Sequence, residues 1–423
     1  MTKVVPVACL FLFLMWGHGR STPSSVLPGE RRLQARVDTN VQLRELERAQ
    51  RIFDLRRALN VSDDYEDLFY RAVVAARFGQ DAVAVSQLRR FLETHPDREL
   101  ERKAHEELAS VLIRASRYGD SASEYAEVLR LMRADDPDRA DIEEKLAVCD
   151  SLRGAPTQTV EFSKAATVKA RLLGSWIVPV SVNGKDADWI LDTGANLSLV
   201  TESEAARIGL TILPESAIAS GSTGKRNRVR VAIGTDVRFG SALLHNVAIV
   251  VIADNALPRQ APRGILGLPA IRSLGKISIS SKGVVLIEPD SKIPPGEPNI
   301  FFDGLTPIVE AHHGSSPVQM VVDTGASRTT FYALFRATLS QEEIGQLRKS
   351  KAKSTGVGET IERPVEIAAK LQLELPGKHV ALKDATLRSE QPREFSCEHG
   401  LIGMDLLVDG FTLDFRAMQL QFN

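Results

Sequence analysis

Two aspartates, each at the end of an apolar run, are the residues of this chain whose type and placement most clearly indicate chemistry. Residues 189–195 read Trp-Ile-Leu-Asp-Thr-Gly-Ala, and residues 320–326 read Met-Val-Val-Asp-Thr-Gly-Ala. Asp192 and Asp323 are therefore 131 residues apart, which is about one small β lobe. Packing alone does not explain an apolar strand that leads into a carboxylate, because a lone buried charge is costly. The duplication predicts that the two carboxyl groups meet.

Two adjacent carboxyl groups have a defined chemistry. Like charges roughly 3 Å apart cannot both ionise, so one group keeps its proton and the pair titrates as a unit. One carboxylate can then take a proton from water while the other donates a proton to a carbonyl oxygen. Such a pair needs neither a metal nor an organic cofactor to hydrolyse an amide. The sequence contains no Cys and His spacing typical of a zinc site.

The duplicated Asp-Thr-Gly-Ala segment resembles the active-site loop of the retropepsin and pepsin class of aspartic proteases. The resemblance extends from about residue 165 to the C-terminus and includes four motif elements that occur twice in the same order. It implies that Asp192 and Asp323 bind and activate a water molecule. The residues implied to support them in the two loops are Thr193, Gly194, Ala195, Thr324, Gly325 and Ala326. The threonines would hydrogen-bond across the lobe interface, and the glycines would permit a tight turn.

Two glycine-rich turns occupy the positions at which this class has its flaps, the hairpins that close over bound peptide. The flap residues implied by the resemblance are Gly221, Ser222, Thr223, Gly224, Thr355, Gly356, Val357 and Gly358. A flap in each lobe is more similar to retropepsins than to pepsin, and the pepsin flap tyrosine is absent from both turns. Because both lobes lie in one chain, the resemblance implies an active monomer.

The first 40 residues predict export. Residues 1–19 contain a 13-residue apolar run after Lys3 and small residues near its end, which indicates a signal peptide. The run is shorter than the roughly 20 residues that cross a bilayer, so no membrane span is expected after its removal. Residues 20–40 are polar and predict a flexible spacer. We therefore expect a secreted or periplasmic protein.

Residues 41–153 predict an α-helical region. Residues 77–82 and 117–122 match at an offset of 40, and each is followed by a helical stretch that ends in proline. This pattern is similar to tetratricopeptide-type helical hairpins, although their usual period is about 34. Such hairpins bind protein partners or serve as spacers, and the sequence leaves open whether this region is a pro-domain, a recruiter of substrate or a spacer.

The predicted fold is therefore multidomain, with an all-α helical-hairpin repeat region followed by an all-β bilobal aspartic protease domain. Composition shifts place a linker at 154–166, the first lobe at 167–289, a second linker at 290–299 and the second lobe at 300–423. The formal net charge of −1 gives no reason to expect a nucleic-acid partner. Three cysteines are too few for a disulfide framework, and the pairing of Cys149 with Cys397 stays open.

Three functions compete at this point. The first is an aspartic endopeptidase that acts on polypeptides. The second is a peptide-binding scaffold that keeps the protease fold without turnover, and the third is a helical-repeat adaptor whose β portion only dimerises. The intact Asp, Thr and Gly in both loops favour the enzyme, because a silent copy would be free to lose one of them.

Overall fold

A computed structural model describes residues 41–59, 67–163, 167–221, 223–289, 292 and 296–423. The predicted signal peptide (1–19) and spacer (20–40), as well as Ser222, lie outside the described residues. Within the described ranges, no helix combines the length and apolar character that a membrane crossing requires.

Helices dominate the described chain before residue 152, and strands dominate it afterwards. Residues 41–48 are helical. The helices that follow are α1 Ile52–Leu59, α2 Leu68–Arg77, α3 Asp81–Leu92, α4 Arg98–Arg114, α5 Tyr118–Leu131, α6 Arg139–Ser151, α7 Glu202–Arg207, α8 Leu268–Ser273, α9 Gln341–Gly345 and α10 Met404–Leu407. The predicted order of a helical region and then a β-rich region is confirmed. The assignment of α1 to α6 to tetratricopeptide-type repeats stays a prediction.

The strands form three sheets. Their bounds are β1 Thr159–Phe162, β2 Thr167–Lys169, β3 Arg171–Leu172, β4 Trp176–Val182, β5 Lys185–Leu191, β6 Ser198–Thr201, β7 Thr211–Ser220, β8 Arg226–Phe239, β9 Ala242–Ile252, β10 Gly264–Leu266, β11 Lys276–Ser280, β12 Val284–Ile287, β13 Ile300–Asp303, β14 Thr306–His313, β15 Ser316–Val322, β16 Thr330–Phe331, β17 Arg348–Gly356, β18 Glu359–Leu375, β19 Lys378–Arg388, β20 Gly400–Ile402, β21 Gly410–Asp414 and β22 Gln419–Phe422.

The two larger sheets are built alike. The first has the order β1-β9-β6-β10-β5-β4-β8-β7 with β3 beside β4, and the second has the order β13-β14-β15-β20-β16-β19-β18-β17. In each sheet a long hairpin ends at the sheet edge: β7 with β8 in the first and β17 with β18 in the second. We call these the first hairpin and the second hairpin.

The third sheet joins the two halves of the β region. Its order is β2-β12-β11-β21-β22, and β11 pairs antiparallel with β21 so that Ile277 lies opposite Leu413. One sheet therefore takes strands from both predicted lobes. The backbone hydrogen bonds of this sheet hold the halves in one relative position.

Part of the segment predicted as a linker at 154–166 is a strand. Thr159–Phe162 forms β1, which pairs antiparallel with β9, with Val160 opposite Leu244. The segment is only four residues long, so its alternation is too short to distinguish a strand from a polar connection. Its pairing partner lies more than 80 residues further along the chain.

Buried ion pairs fix the helical region on the β region. The guanidinium of Arg77 donates to the carbonyl oxygen of Phe302 at 3.1 Å, pairs with Glu107 at 2.5 Å and also pairs with Asp303. The Arg77 side chain is only 6% exposed. Removing one partner of such a buried pair leaves an uncompensated charge, at a cost of about 3–5 kcal/mol. The helical region is therefore held tightly against the start of the second sheet.

Candidate active site

The Asp192 and Asp323 loops are positioned by matching pairs of strands. Strand β5 ends at Leu191 beside the parallel strand β10, and the backbone N–H of Asp192 donates to Leu266 O at 3.1 Å. Strand β15 ends at Val322 beside the parallel strand β20, and the N–H of Asp323 donates to Ile402 O at 3.1 Å. Each aspartate is thus the first residue after a buried strand.

Two buried threonines join the loops. The N–H of Thr193 donates to Thr324 Oγ1 at 3.0 Å, and the N–H of Thr324 donates to Thr193 Oγ1 at 3.1 Å. Their hydroxyls then donate to carbonyl oxygens of the opposite strand ends, Val322 O at 2.6 Å and Leu191 O at 2.8 Å. The predicted hydrogen bonds across the interface are therefore present. Each threonine therefore both donates and accepts hydrogen bonds across the interface between the two loops.

The two carboxyl groups face each other across the loop glycines. A Cβ atom added at Gly194 would lie 2.8 Å from Asp323 Cγ, and one added at Gly325 would lie 2.4 Å from Asp192 Cγ. Both distances are too short for a carbon contact, so only glycine admits the opposite carboxyl group at these positions. Each carboxyl group affects the pKa of the other. The structure brings the two predicted residues together.

The proton equilibrium of this pair is shifted. Burial, followed by the charge of Asp323, raises the pKa of Asp192 to about 8. Burial also raises the pKa of Asp323, against the opposing effect of backbone N–H groups that donate to its carboxylate. Asp323 Oδ1 accepts from Gly325 N at 2.9 Å and Ala326 N at 3.0 Å. The raised pKa of Asp192 favours its protonated form up to a pH of about 8.

Two hydroxyls beneath the loops were not predicted from the sequence. Ser198 Oγ accepts the N–H of Gly267 at 3.1 Å, and Thr329 Oγ1 accepts the N–H of Gly403 at 3.1 Å. Each hydroxyl lies six residues after its aspartate, so a comparison of the two copies at equal spacing is the signal that finds them. Ala195 and Ala326 complete the support, because their carbonyl oxygens accept from the first residues of α8 and α10.

The tips of the two hairpins meet. Lys225 Nζ donates to Gly358 O at 2.8 Å, and the Asn227 side-chain amide donates to Val357 O at 3.4 Å. Gly224 and Gly358 have φ values of +85° and +101°, which a side chain rarely permits.

The other residues predicted for these turns lie at or beside the tips. Val357 packs on the first hairpin, and the Cβ of a residue replacing Gly221 would be 2.5 Å from Val357 O. Thr223 O accepts from Arg363 at 3.4 Å. Thr355 and Gly356 end β17, and Thr355 Oγ1 is 3.0 Å from Thr360 Oγ1.

A cavity of about 430 Å³ lies elsewhere, between the helical region and the third sheet. Arginines and apolar side chains line it, among them Phe78 and Met418. Its charged groups already have partners, since Arg272 pairs with Asp81 at 2.7 Å and Arg416 with Asp414 at 3.2 Å. Neither aspartate of the site lines this cavity.

The described residues contain no cluster of three or more side chains suited to hold a metal ion. Cys149 and Cys397 are both free thiols, so the disulfide that the sequence left open does not form. Cys149 is buried, and its sulfur lies 3.7 Å from Ser121 Oγ.

Comparison with known proteins finds similarity over part of the chain. A family model described as Aspartyl protease matches residues 178–270, a range that includes the Asp192 loop and the first hairpin. A crystal structure of a retropepsin-like aspartic protease from Rickettsia conorii is similar at 17% identity, with a TM-score of 0.24, over 31% of this chain and 95% of that chain. No curated protein matches the chain. The family match supports an aspartic protease class for this segment.

Proposed function

We propose that this protein is an aspartic endopeptidase that hydrolyses peptide bonds with a water molecule held between Asp192 and Asp323. The observation that carries the proposal is the reciprocal fit of each carboxyl group against the glycine of the opposite loop. A buried pair that shares one proton is the arrangement that activates water and a carbonyl group together.

The two aspartates have different roles in the first step. Asp323 accepts two backbone N–H groups, which stabilise its charged form, so it acts as the base that removes a proton from water. The water oxygen bonds to the carbonyl carbon while Asp192 gives its proton to the carbonyl oxygen. The tetrahedral diol then collapses when the amide nitrogen receives the proton held by Asp323. The C–N bond breaks, and Asp192 regains a proton from the diol.

The hairpins act as flaps in this proposal. Their tips hold each other through Lys225 and Gly358, so a polypeptide enters only when they separate. Closure excludes water and strengthens the electrostatic effects within the site. Since both aspartates belong to one chain, the protein acts as a monomer, and export through residues 1–19 would place it outside the cytoplasm. The helical region offers a further surface for a protein partner.

Cleavage of a mixed peptide library tests the proposal. The wild type, Asp192→Asn and Asp323→Asn would be assayed between about pH 3 and about pH 9 by mass spectrometry, the range over which the shifted pair titrates. We expect cleavage by the wild type and its loss in both variants. Asp186→Asn is the matched control, because Asp186 lies exposed on the same strand β5. Peptide binding without turnover at any pH would instead support the scaffold, and activity that survives either substitution in the pair would contradict the proposal.

A further inference from the structure

We call the space between the two aspartate loops and the two hairpins the cleft. The repeat of the two halves relates the two ends of this cleft. At the offset of 131 residues, Leu197 corresponds to Arg328 and Gly174 corresponds to Leu305. A Cβ atom at Gly174 would lie 3.9 Å from the Ser327 side chain, next to Arg328. At each end of the cleft, the residue five positions after one aspartate therefore lies near the segment just before the first strands of the other half.

At one end, the helical region covers these positions. Leu197 and Leu305 pack in one hydrophobic cluster with side chains of α5 and α6. The buried helical members of that cluster include Tyr118, Ala122, Tyr125, Ile142 and Cys149. Asp303 and Gly304, just before Leu305, are also engaged, by Arg77 and Arg114. At this end of the cleft, the segments around Leu197 and Leu305 are thus part of a packed interface with the helical region.

Helix α6 also binds the first hairpin, which covers this end of the cleft. Glu144 pairs with Arg226 at 2.6 Å and accepts a hydrogen bond from Ser220 Oγ at 2.9 Å, and both of these residues belong to the first hairpin. Ala147 and Val148 pack against the apolar face of that hairpin, beside Ala217. Helix α6 therefore connects the Leu197 and Leu305 cluster to the first hairpin, and it closes this end of the cleft.

Among the described residues, the opposite end is more exposed. Leu172 and Leu173 are 47% and 65% exposed, although the corresponding segment of the second sheet is packed against helices. Arg328 is exposed, and no carboxylate of the described residues pairs with it. This end therefore presents apolar side chains together with the guanidinium group of Arg328.

The exposed end is continuous with the site. Ser175, two residues after Leu173, donates its hydroxyl proton to Gly325 O in the Asp323 loop at 2.8 Å. We propose that a bound polypeptide extends from the two aspartates only through this open end, over Leu172 and Leu173 and past Arg328. The closed end accepts only a short chain segment. This inference rests on the proposed protease function and adds to it a substrate class: internal peptide bonds a few residues from one terminus of a polypeptide, with apolar and acidic residues on the longer side.

A series of peptides of unequal arms tests the first part. A sequence cut by the wild type would be lengthened step by step with Gly-Ser units, at its N-terminus in one series and at its C-terminus in the other. We expect extension at one terminus to lower kcat/KM by about tenfold or more, which corresponds to about 1.4 kcal/mol. Extension at the other terminus should leave kcat/KM within about twofold. Equal tolerance of both extensions would overturn the inference while leaving the protease assignment intact.

Charge reversal at the open end tests the second part. Arg328→Glu should lower kcat/KM about tenfold for peptides with Asp or Glu on the long arm and raise it for peptides with Lys there. Arg238→Glu is the matched control, because Arg238 is exposed on β8 beside Leu243, away from both loops. An unchanged preference in Arg328→Glu would remove the open end from substrate recognition.

A binding measurement separates the two levels of failure. Fluorescein-labelled peptides of both series would be titrated by anisotropy onto Asp192→Asn, which keeps the shape of the site. Undiminished binding of only one extended series supports the inference even where turnover is slow. Absence of both cleavage and binding would overturn it together with the protease assignment.

Discussion

The first and second hairpins are built alike but are held differently. Strand β7 of the first hairpin is an edge strand against which α6 packs. Glu144 of α6 binds Ser220 and Arg226 of that hairpin. Strand β17 of the second hairpin is also an edge strand. It carries lysines, and among the described residues no helix packs on it as α6 packs on β7. Exposed edge lysines discourage pairing with other chains. The difference shows how one added helical region makes a duplicated fold asymmetric around a nearly symmetric site.

The largest expected effect comes from filling the space between the carboxyl groups. Gly325→Ala would place a methyl group 2.4 Å from Asp192 Cγ, and Gly194→Ala would place one 2.8 Å from Asp323 Cγ. We expect each to reduce kcat by at least about 1,000-fold, with Gly325→Ala the more severe. Gly154→Ala is the control, since no atom lies within 4 Å of its added Cβ. A variant that retains wild-type kcat would contradict the close approach.

Removal of either carboxylate should be nearly as damaging. Asp192→Asn and Asp323→Asn are each expected to lower kcat by about 1,000-fold or more, because each lacks a group that must carry a proton in the reaction. The double variant should lose little more than either single one, because residues that act as a unit are not additive. Steady-state kinetics on one library peptide measures this. Additive losses would mean that the two residues act separately.

The pH profile should be bell-shaped. Activity is expected to fall as pH rises through about 8, where Asp192 loses its proton. It should also fall at acidic pH, where Asp323 becomes protonated, and this limb should lie above the usual aspartate pKa because burial raises the pKa of Asp323. A rate that is flat across both limbs would contradict a shared proton.

Stability should depend on the same proton. An aspartate with a raised pKa in the folded state contributes its full stabilisation below its unfolded-state pKa, which is about 3.9. For Asp192 this stabilisation is lost as pH rises through about 8. Asp192→Asn cannot become charged. We therefore expect its Tm to exceed that of the wild type more at pH 9 than at pH 5, as measured by thermal unfolding. A Tm difference that is the same at both pH values would show that Asp192 is not buried as a charge.

The threonine cross-braces should contribute equally from both sides. Thr193→Val and Thr324→Val each leave a buried N–H group and a carbonyl oxygen of the opposite loop without partners. Each should lower the free energy of unfolding by about 2–4 kcal/mol, with loss of activity, because unpaired buried groups cost about 1–3 kcal/mol each. Urea denaturation measures the change, and Thr412→Val on the third sheet serves as a control. A marked difference between the two variants in the free energy of unfolding would show that the two loops contribute unequally to stability, although their hydrogen bonds match.

The smallest effect is expected from releasing the first hairpin. Glu144→Gln weakens the contact with Arg226, which is 56% exposed, so global stability should change by less than about 1 kcal/mol. Amide hydrogen exchange in residues 211–220 should nevertheless become faster and approach that of β17. Glu143→Gln on the same helix is the control, because Glu143 is 53% exposed and pairs only with Arg139. Unchanged exchange in Glu144→Gln would show that apolar packing alone holds the hairpin.

Much of the candidate site could be predicted from the sequence. An apolar strand followed by Asp-Thr-Gly-Ala is a local pattern, and its repetition at matched spacing indicated that Asp192 and Asp323 meet. Glycine-rich turns between alternating segments located the hairpin tips in the same way. These features are local because the strand, the turn and the aspartate are consecutive in the chain.

The remaining features depend on contacts between residues far apart in sequence. The hydrogen bond between Ser198 and Gly267, the pairing of β11 with β21 and the salt bridge from Arg77 to Asp303 join elements separated by 69 to 226 residues. No periodicity reports such pairings, because each partner alone looks like an ordinary serine, strand or surface charge. The sequence by itself determined the two carboxyl groups and their turns. Only the tertiary structure decided that α6 packs on the first hairpin and not on the second, because that depends on where the helices dock.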